Sequence, residues 1–412
     1  MHTHHLASIL AAVLGGLIAL PGGVPVAYGS TRVLQESAQS AEQSANSASV
    51  RLNQKGLTLA ASTTAAIAVC ASDPLQAKQL AALANFEGWL QSANASGYVG
   101  EVGWPAGNDA VAWNALANKW YAAADMDQLW VTAWSAGEWW GKYSLQPYVV
   151  AAGKSSVSAR GSQAAVLTNH PSTPTVLRGV NSSGGEFGTG AGFSNTTPGV
   201  LHTNYHYDST ATFQYLATQG VRVVRLPFRW ERLQPRLDSA LNIAAVAALK
   251  DAVLRANQAG LSVILDMQNF GRYVTSTGTR LIGTSALPNA AFADFWSRFA
   301  SAFAGVPGVA GFDLMNEPHD LASVGVWQQA SQQALTAVRA AGSKTLILVE
   351  GYDWAGDHNW SRVEPTPWIV DPAANFRYEA HQYFDVDWSG RYADSYATDV
   401  AAAQAQGYRA NC

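Results

Sequence analysis

From residue 176 onward, short runs of β-branched and aliphatic residues alternate with stretches whose apolar positions recur every three to four residues. The runs Val176–Val180, Val221–Leu226, Ser262–Met267, Val309–Leu314, Thr345–Glu350 and Arg377–His381 predict six strands. Between them the pattern predicts helices such as 243–259, closed by Gly260, and 291–304. In the latter, Phe292, Phe295, Trp296, Phe299 and Phe303 fall on one face, which reads as a core stripe. Two further strand–helix units lie earlier in the chain. Gly97–Val102 and Leu129–Trp134 are the strand candidates, and a helix between them carries Trp113, Leu116 and Trp120 on one face. Six units and two make eight, the number that closes a (β/α)8 barrel.

Outside these units the pattern weakens. Leu6 to Val26 is almost uninterruptedly apolar and ends near small residues, which predicts a secretory signal over 1–30, or a membrane anchor if it is not cleaved. Residues 31–79 are a Ser/Ala/Gln/Thr-rich lead-in, and 151–175 a second low-complexity stretch that reads as a connector. The division is thus 80–150 for two barrel strands and 176–412 for six.

With 412 residues, 48% of them hydrophobic, the chain can bury a full core. A net charge of −4 and the absence of Lys/Arg runs interleaved with aromatics argue against a nucleic-acid partner. Fifteen Trp and fifteen Tyr offer flat faces of the kind that stack on sugar rings, although core burial accounts for such residues equally well. No phosphate loop, nucleotide fingerprint, nucleophile triad or zinc-spaced cluster is present. Cys70 and Cys412 are the only cysteines, too few for a disulfide scaffold but enough for one bridge in an exported protein.

In a parallel barrel, catalytic groups gather at the C-terminal strand ends. Here those ends carry Arg225; Asp266, Gln268 and Asn269; Asn316 and Glu317; Glu350; and His381 and Tyr383, with Glu101 and Trp134 from the two earlier strands. Four segments carry a family resemblance: Val-Arg-Leu-Pro-Phe around Arg225, Ile-Leu-Asp-Met-Gln-Asn-Phe-Gly-Arg-Tyr at 264–273, Met-Asn-Glu-Pro at 315–318 and His-Gln-Tyr-Phe-Asp at 381–385. Together they resemble family 5 glycoside hydrolases, the cellulase-like group of clan A. Tyr-Val-Gly-Glu-Val-Gly at 98–103 resembles that family's nucleophile strand, and Trp-Val-Thr-Ala-Trp at 130–134 its last strand. In the family's order the strands therefore run seven, eight, then one to six, a circular permutation. A fusion of two fragments is the other way to produce that order.

The resemblance implies a retaining endo-β-1,4-glucanase acting by double displacement on polysaccharide or oligosaccharide. It implies Glu317 as general acid/base and Glu101 as nucleophile. By the same resemblance Arg225 orients the nucleophile, Asn316 binds the sugar 2-hydroxyl, Tyr383 touches the nucleophile beside His381, and Trp134 lies under the reacting sugar. Gln268 and Asn269 complete the substrate-binding set, Gln268 standing where many relatives have a His. An amide still hydrogen-bonds a hydroxyl but cannot carry a proton. A β-mannanase or a carbohydrate-binding pseudoenzyme are the alternatives. No cofactor or metal is needed for such chemistry, and the protein is expected to be a secreted monomer, free of the membrane once the signal is cleaved. Permutation would place Cys70 and Cys412 beside one cut, within reach of a disulfide.

Overall fold

The computed structural model describes residues 69–412. The apolar leader over 1–30 and the lead-in up to residue 68 lie outside the described residues. Eight parallel strands close a barrel in simple chain order: β1 (Gly97–Gly103), β2 (Trp130–Ala136), β3 (Arg178–Ser182), β4 (Val223–Phe228), β5 (Ser262–Met267), β6 (Val309–Asp313), β7 (Leu346–Glu350) and β8 (Phe376–Tyr383). β1 pairs with β8 on one side, Tyr98 opposite Glu379, and with β2 on the other, Tyr98 opposite Trp130. The two early strands thus belong to the same closed sheet as the later six. Each predicted strand is found, displaced by at most two residues at either end.

The interior of the barrel is layered because alternate side chains of a strand face one side. At the bottom, Tyr98, Val223, Ile264, Leu346 and Leu348 form an apolar plug. Two residues further along three of these strands stand Arg225, Asp266 and Glu350, joined by Asp313 and Glu379, all fully buried. Above them lie the polar strand ends. Gly100 makes room for this charged layer, since a Cβ there would fall 1.7 Å from Oε1 of Glu379.

Outside the barrel, the helix Asn289–Ala302 turns Phe292, Phe295, Trp296 and Phe299 inward, each completely buried, as their spacing predicts. Burial of each such ring contributes on the order of 2–3 kcal/mol.

Two boundaries differ from expectation. The first helix spans Pro74–Ala93, so the lead-in ends six residues before residue 80. Asp73 caps it by accepting from the Gln76 N–H at 2.9 Å, and Pro74 occupies the first turn, where its missing N–H costs nothing. The connector 151–175 is ordered too. Val157–Arg160 pairs with Tyr148–Val150 in a hairpin, and Ala164–Asn169 is a short helix. Long-range contacts hold these pieces: the Val157 N–H donates to Thr212 Oγ1 at 3.0 Å, and Gln163 Nε2 donates to the Trp104 carbonyl at 3.0 Å. Such contacts leave no local periodicity.

Cys70 and Cys412 are disulfide-bonded with Cα atoms 5.0 Å apart. The Asn411 N–H donates to the Ala71 carbonyl at 3.0 Å beside the bridge. Among the described residues no helix is long and apolar enough to cross a membrane.

Candidate active site

Arg225 is the hub on which the site is built. Rising from β4 with no exposed surface, its guanidinium lies between 2.7 and 3.3 Å from Glu101, Asp266, Asp313, Glu350 and Glu379. Five carboxylates against one guanidinium and one nearby imidazole, His381, cannot all be ionised in a dry interior, so several hold protons. Burial raises Asp266 and Glu379 well above the ordinary carboxylate range and pushes Glu350 up to about 7.

Glu101 projects from β1 after a register shift between Val99 and Glu101 that breaks the alternation of the strand. Both of its oxygens are held. Oε1 accepts from Arg225 Nη1 at 3.0 Å and Oε2 from the Tyr383 hydroxyl at 2.6 Å. Burial and then the charge of Glu101 push the Tyr383 hydroxyl well above its ordinary value, so it remains a donor.

Glu317 follows β6 in the left-handed region at φ +44°, a conformation a non-glycine residue keeps only when its surroundings enforce it. Its N–H donates to Glu350, and its carbonyl accepts from His319 Nδ1 at 2.7 Å. His381 Nδ1 stands 3.0 Å from Glu317 Oε1 and 3.7 Å from Glu101 Oε2. Burial alone would discharge this imidazole, yet Glu350, Glu101 and the bond to Glu317 keep its pKa well above the usual histidine value. For Glu317 itself, burial and the neighbouring Glu101 charge raise the pKa while the His381 bond opposes them, and the raised value prevails. A carboxyl kept protonated beside an oriented carboxylate is the arrangement that acid-assisted displacement needs.

Ligand-capable atoms of Glu101, Glu317 and His381 all lie within 4.8 Å of one another. These residues open into a cleft of about 550 Å³ whose lining includes Trp134, Tyr143, Gln268 and Tyr383. Asn316 accepts from Arg225 Nη2 at 2.9 Å through Oδ1, while its buried Nδ2 has no protein acceptor. Gln268 Oε1 is likewise buried and unpartnered. Trp134 is partly exposed, its indole N–H donating to the Tyr143 hydroxyl at 3.0 Å, and Tyr143 stacks on Trp140 at 4.1 Å.

Asn269 is brought close but not into the cleft. Its Oδ1 accepts from the Trp230 N–H at 2.9 Å and its Nδ2 donates to both oxygens of buried Glu231. It fastens the loop after β5 to the chain after β4 rather than facing the opening.

Trp354 and Trp388 line the cleft, Trp140 backs Tyr143, Trp139 stacks on His206 outside it, and Trp360 is core. Trp354 is half exposed and lies flat on His319 at 3.4 Å. It is the centre of three successive left-handed residues, Asp353, Trp354 and Ala355. Two hydrogen bonds hold this turn to the site, Asp353 N–H to the Pro318 carbonyl at 3.0 Å and His381 N–H to the Ala355 carbonyl at 2.8 Å.

Sequence reasoning missed Phe270 and Tyr143 on the lining, and the buried acids Asp313 and Glu379. The acids did leave a signal, a carboxylate at an inward position of an otherwise apolar strand. The two aromatics left none beyond residence in rim loops.

The chain is similar to several known proteins. Residues 180–411, more than half of the chain, match the family model described as Cellulase (glycosyl hydrolase family 5). A manganese-dependent endoglucanase from Phanerodontia chrysosporium is 28% identical over 259 residues, 59% of this chain and 64% of the relative. Endo-β-1,4-glucanase B of Emericella nidulans is 31% identical over 230 residues, 55% of this chain and 66% of the relative. The crystal structure of a Pseudomonas stutzeri endoglucanase in complex with cellobiose is 44% identical, with a TM-score of 0.48 over 52% of this chain and 62% of that one. In each case the match spans less than two thirds of the relative's own length. The closed parallel barrel, the polar strand ends and the extent of the family match lead to one conclusion: this chain belongs to glycosyl hydrolase family 5.

Proposed function

We propose that the protein hydrolyses β-1,4-linked glucan internally, with retention of anomeric configuration, by double displacement. The observation that carries this reading is the approach of Glu101 and Glu317 oxygens to within 4.8 Å. Retaining enzymes keep their two carboxyl groups about 5–5.5 Å apart, whereas inverting ones leave about 6.5–9.5 Å for a water. In the first step Glu317 gives its proton to the glycosidic oxygen as Glu101 attacks the anomeric carbon, forming a glycosyl–enzyme ester and releasing the leaving chain. In the second, the Glu317 carboxylate takes a proton from water, whose oxygen attacks the same carbon and frees Glu101. Asn316 Nδ2 is free to meet the 2-hydroxyl, a hydrogen bond that strengthens as positive charge builds on the ring. Trp134 offers the flat face beneath that ring, and Gln268 an acceptor for another hydroxyl. The double displacement needs no metal or cofactor.

The choice of glucan draws on relatives named as endoglucanases, one of them holding cellobiose. Assaying wild type and Glu317→Gln on carboxymethylcellulose and mannan tests it. The reading expects glucan cleavage that the variant loses. Preferential mannan cleavage makes the protein a mannanase, and binding without cleavage makes it a pseudoenzyme.

The order of the strands is part of this proposal. The family match begins at residue 180 in β3 and runs to 411, yet the proposed nucleophile lies before it on β1, in the same closed barrel. A circular permutation accounts for both facts. Export through the apolar leader belongs to the proposal as well, supported by the Cys70–Cys412 bridge, since such bonds persist in oxidising compartments.

A further inference from the structure

Among the buried acids around Arg225 other than Glu101 itself, one has both oxygens engaged toward the chemistry. Glu350, at the end of β7 and fully buried, accepts from the Glu317 N–H through Oε2 and from Arg225 Nη2 at 2.9 Å through Oε1. Oε1 also lies 3.4 Å from His381 Nε2. By contrast, Asp266 and Glu379 meet Arg225 only in longer ion pairs, at 3.2 and 3.3 Å, and no directed hydrogen bond reaches their oxygens. Glu350 is itself fixed from behind, its carbonyl accepting from the indole N–H of buried Trp327 at 2.7 Å.

We infer that Glu350 is a positioning residue that holds Glu317 in its left-handed conformation and so aims the acid proton at the glycosidic oxygen. The inference rests on the reading of Glu317 as acid/base. A left-handed non-glycine residue is strained and persists only where the structure over-determines it. Here three contacts do so: Glu350 on the N–H, His319 on the carbonyl and His381 on the carboxyl. Of the three, the Glu350 bond alone continues through Arg225 to Glu101, so one carboxylate ties the backbone of the acid to the orienter of the nucleophile. Small errors in the direction of a proton donor cost rate without weakening substrate binding.

The rival account makes Glu350 only a counter-charge for Arg225, which has four other carboxylates beside it. Leaving-group dependence separates the two. Glu350→Gln keeps size and shape but has one acceptor oxygen where two are needed. kcat/KM is to be measured for wild type, Glu350→Gln, Glu350→Asp and Glu317→Ala on a cello-oligosaccharide and on a dinitrophenyl cellobioside, whose leaving group needs no proton. Positioning predicts that Glu350→Gln loses roughly 10²-fold on the oligosaccharide and no more than about threefold on the aryl substrate, with KM nearly constant. Glu350→Asp, which keeps both acceptor oxygens, recovers part of the loss and serves as the test variant should the Gln form not fold. Equal losses on both substrates while Glu317→Ala remains selective overturn the role of Glu350 and leave the acid/base assignment standing. Loss of selectivity in Glu317→Ala itself overturns the assignment on which the inference rests.

Discussion

Arg225 Nη1 donates to Oε1 of Glu101 at 3.0 Å, joining a residue of β4 to one of β1 across the barrel interior. With Tyr383 on Oε2, the two donors turn the carboxylate toward the cleft and leave it little freedom to rotate. Removing the side chain vacates a space walled by donors. Glu101→Ala is therefore expected to abolish turnover, and azide to restore it on an activated aryl cellobioside, giving a glycosyl azide of inverted configuration. Product NMR reads the outcome. Near-normal hydrolysis by the variant without azide removes Glu101 from the reaction.

Asn269 supplies a contrasting case. Its amide accepts from the Trp230 N–H and donates to Glu231, a carboxylate with no exposed surface. Asn269→Ala leaves both groups short of a partner, at about 1–3 kcal/mol each. The expected outcome is a lower midpoint of urea unfolding with kcat/KM of the folded enzyme within about threefold of wild type. A loss of activity beyond tenfold at unchanged stability returns Asn269 to the substrate.

Stability should fall from mildly acidic to mildly basic pH. Burial, with the Asp127 charge, pushes Glu87 up to about 8, and burial raises Glu364 to about 7. The folded state keeps these protons while the unfolded chain releases them near pH 4.5, so stability from both groups is full below that point and declines as pH rises toward 8. Glu138 behaves oppositely. Against the cost of burial, bonds from His206, Ser209 and Thr212 hold it down to about 2, so its contribution is present above pH 4.5 and lost toward pH 2. Thermal midpoints at pH 3, 5 and 8 are expected to peak near 5, and Glu87→Gln to flatten the decline from 5 to 8. A midpoint that climbs from pH 5 to 8 contradicts this account.

The Cys70–Cys412 bridge closes a loop of 342 residues. Loop entropy puts its contribution at about 6 kcal/mol, less any strain. Ser72 and Lys119, which contact Cys412, do not line the cleft, so reduction or Cys70→Ala should lower the unfolding free energy while leaving kcat/KM at room temperature unchanged. Unaltered stability on reduction shows that the two termini are held by their other contacts.

Much of this was legible in the chain because barrel strands combine two signals: an apolar run, and polar residues at its C-terminal end. Arg225, Glu317 and His381 could be named for that reason. Glu101 stands out too, although it precedes the other strands, because residues 98–103 resemble the family's nucleophile strand, and a closed barrel makes first and last strands neighbours. The turn of Asn269 toward Trp230 and Glu231 is not legible in the chain because residues 268 and 269 leave β5 together, and only the turn geometry decides which enters the cleft. The hairpin and helix within 148–169 were illegible because contacts such as that from Val157 to Thr212 order them. The helix start at Pro74 is marked by the Asp-Pro pair, but the Ala-rich residues around it resemble the lead-in.

The central claim is a covalent double displacement on Glu101 assisted by Glu317. Incubation with a 2-deoxy-2-fluoro-cellobiosyl fluoride, followed by peptide mass spectrometry, tests it most directly, because the fluorine slows release of the ester more than its formation. The account predicts time-dependent inactivation with one cellobiosyl adduct, on the peptide containing Glu101. An adduct on another carboxylate, or an active enzyme that never acquires one, contradicts it.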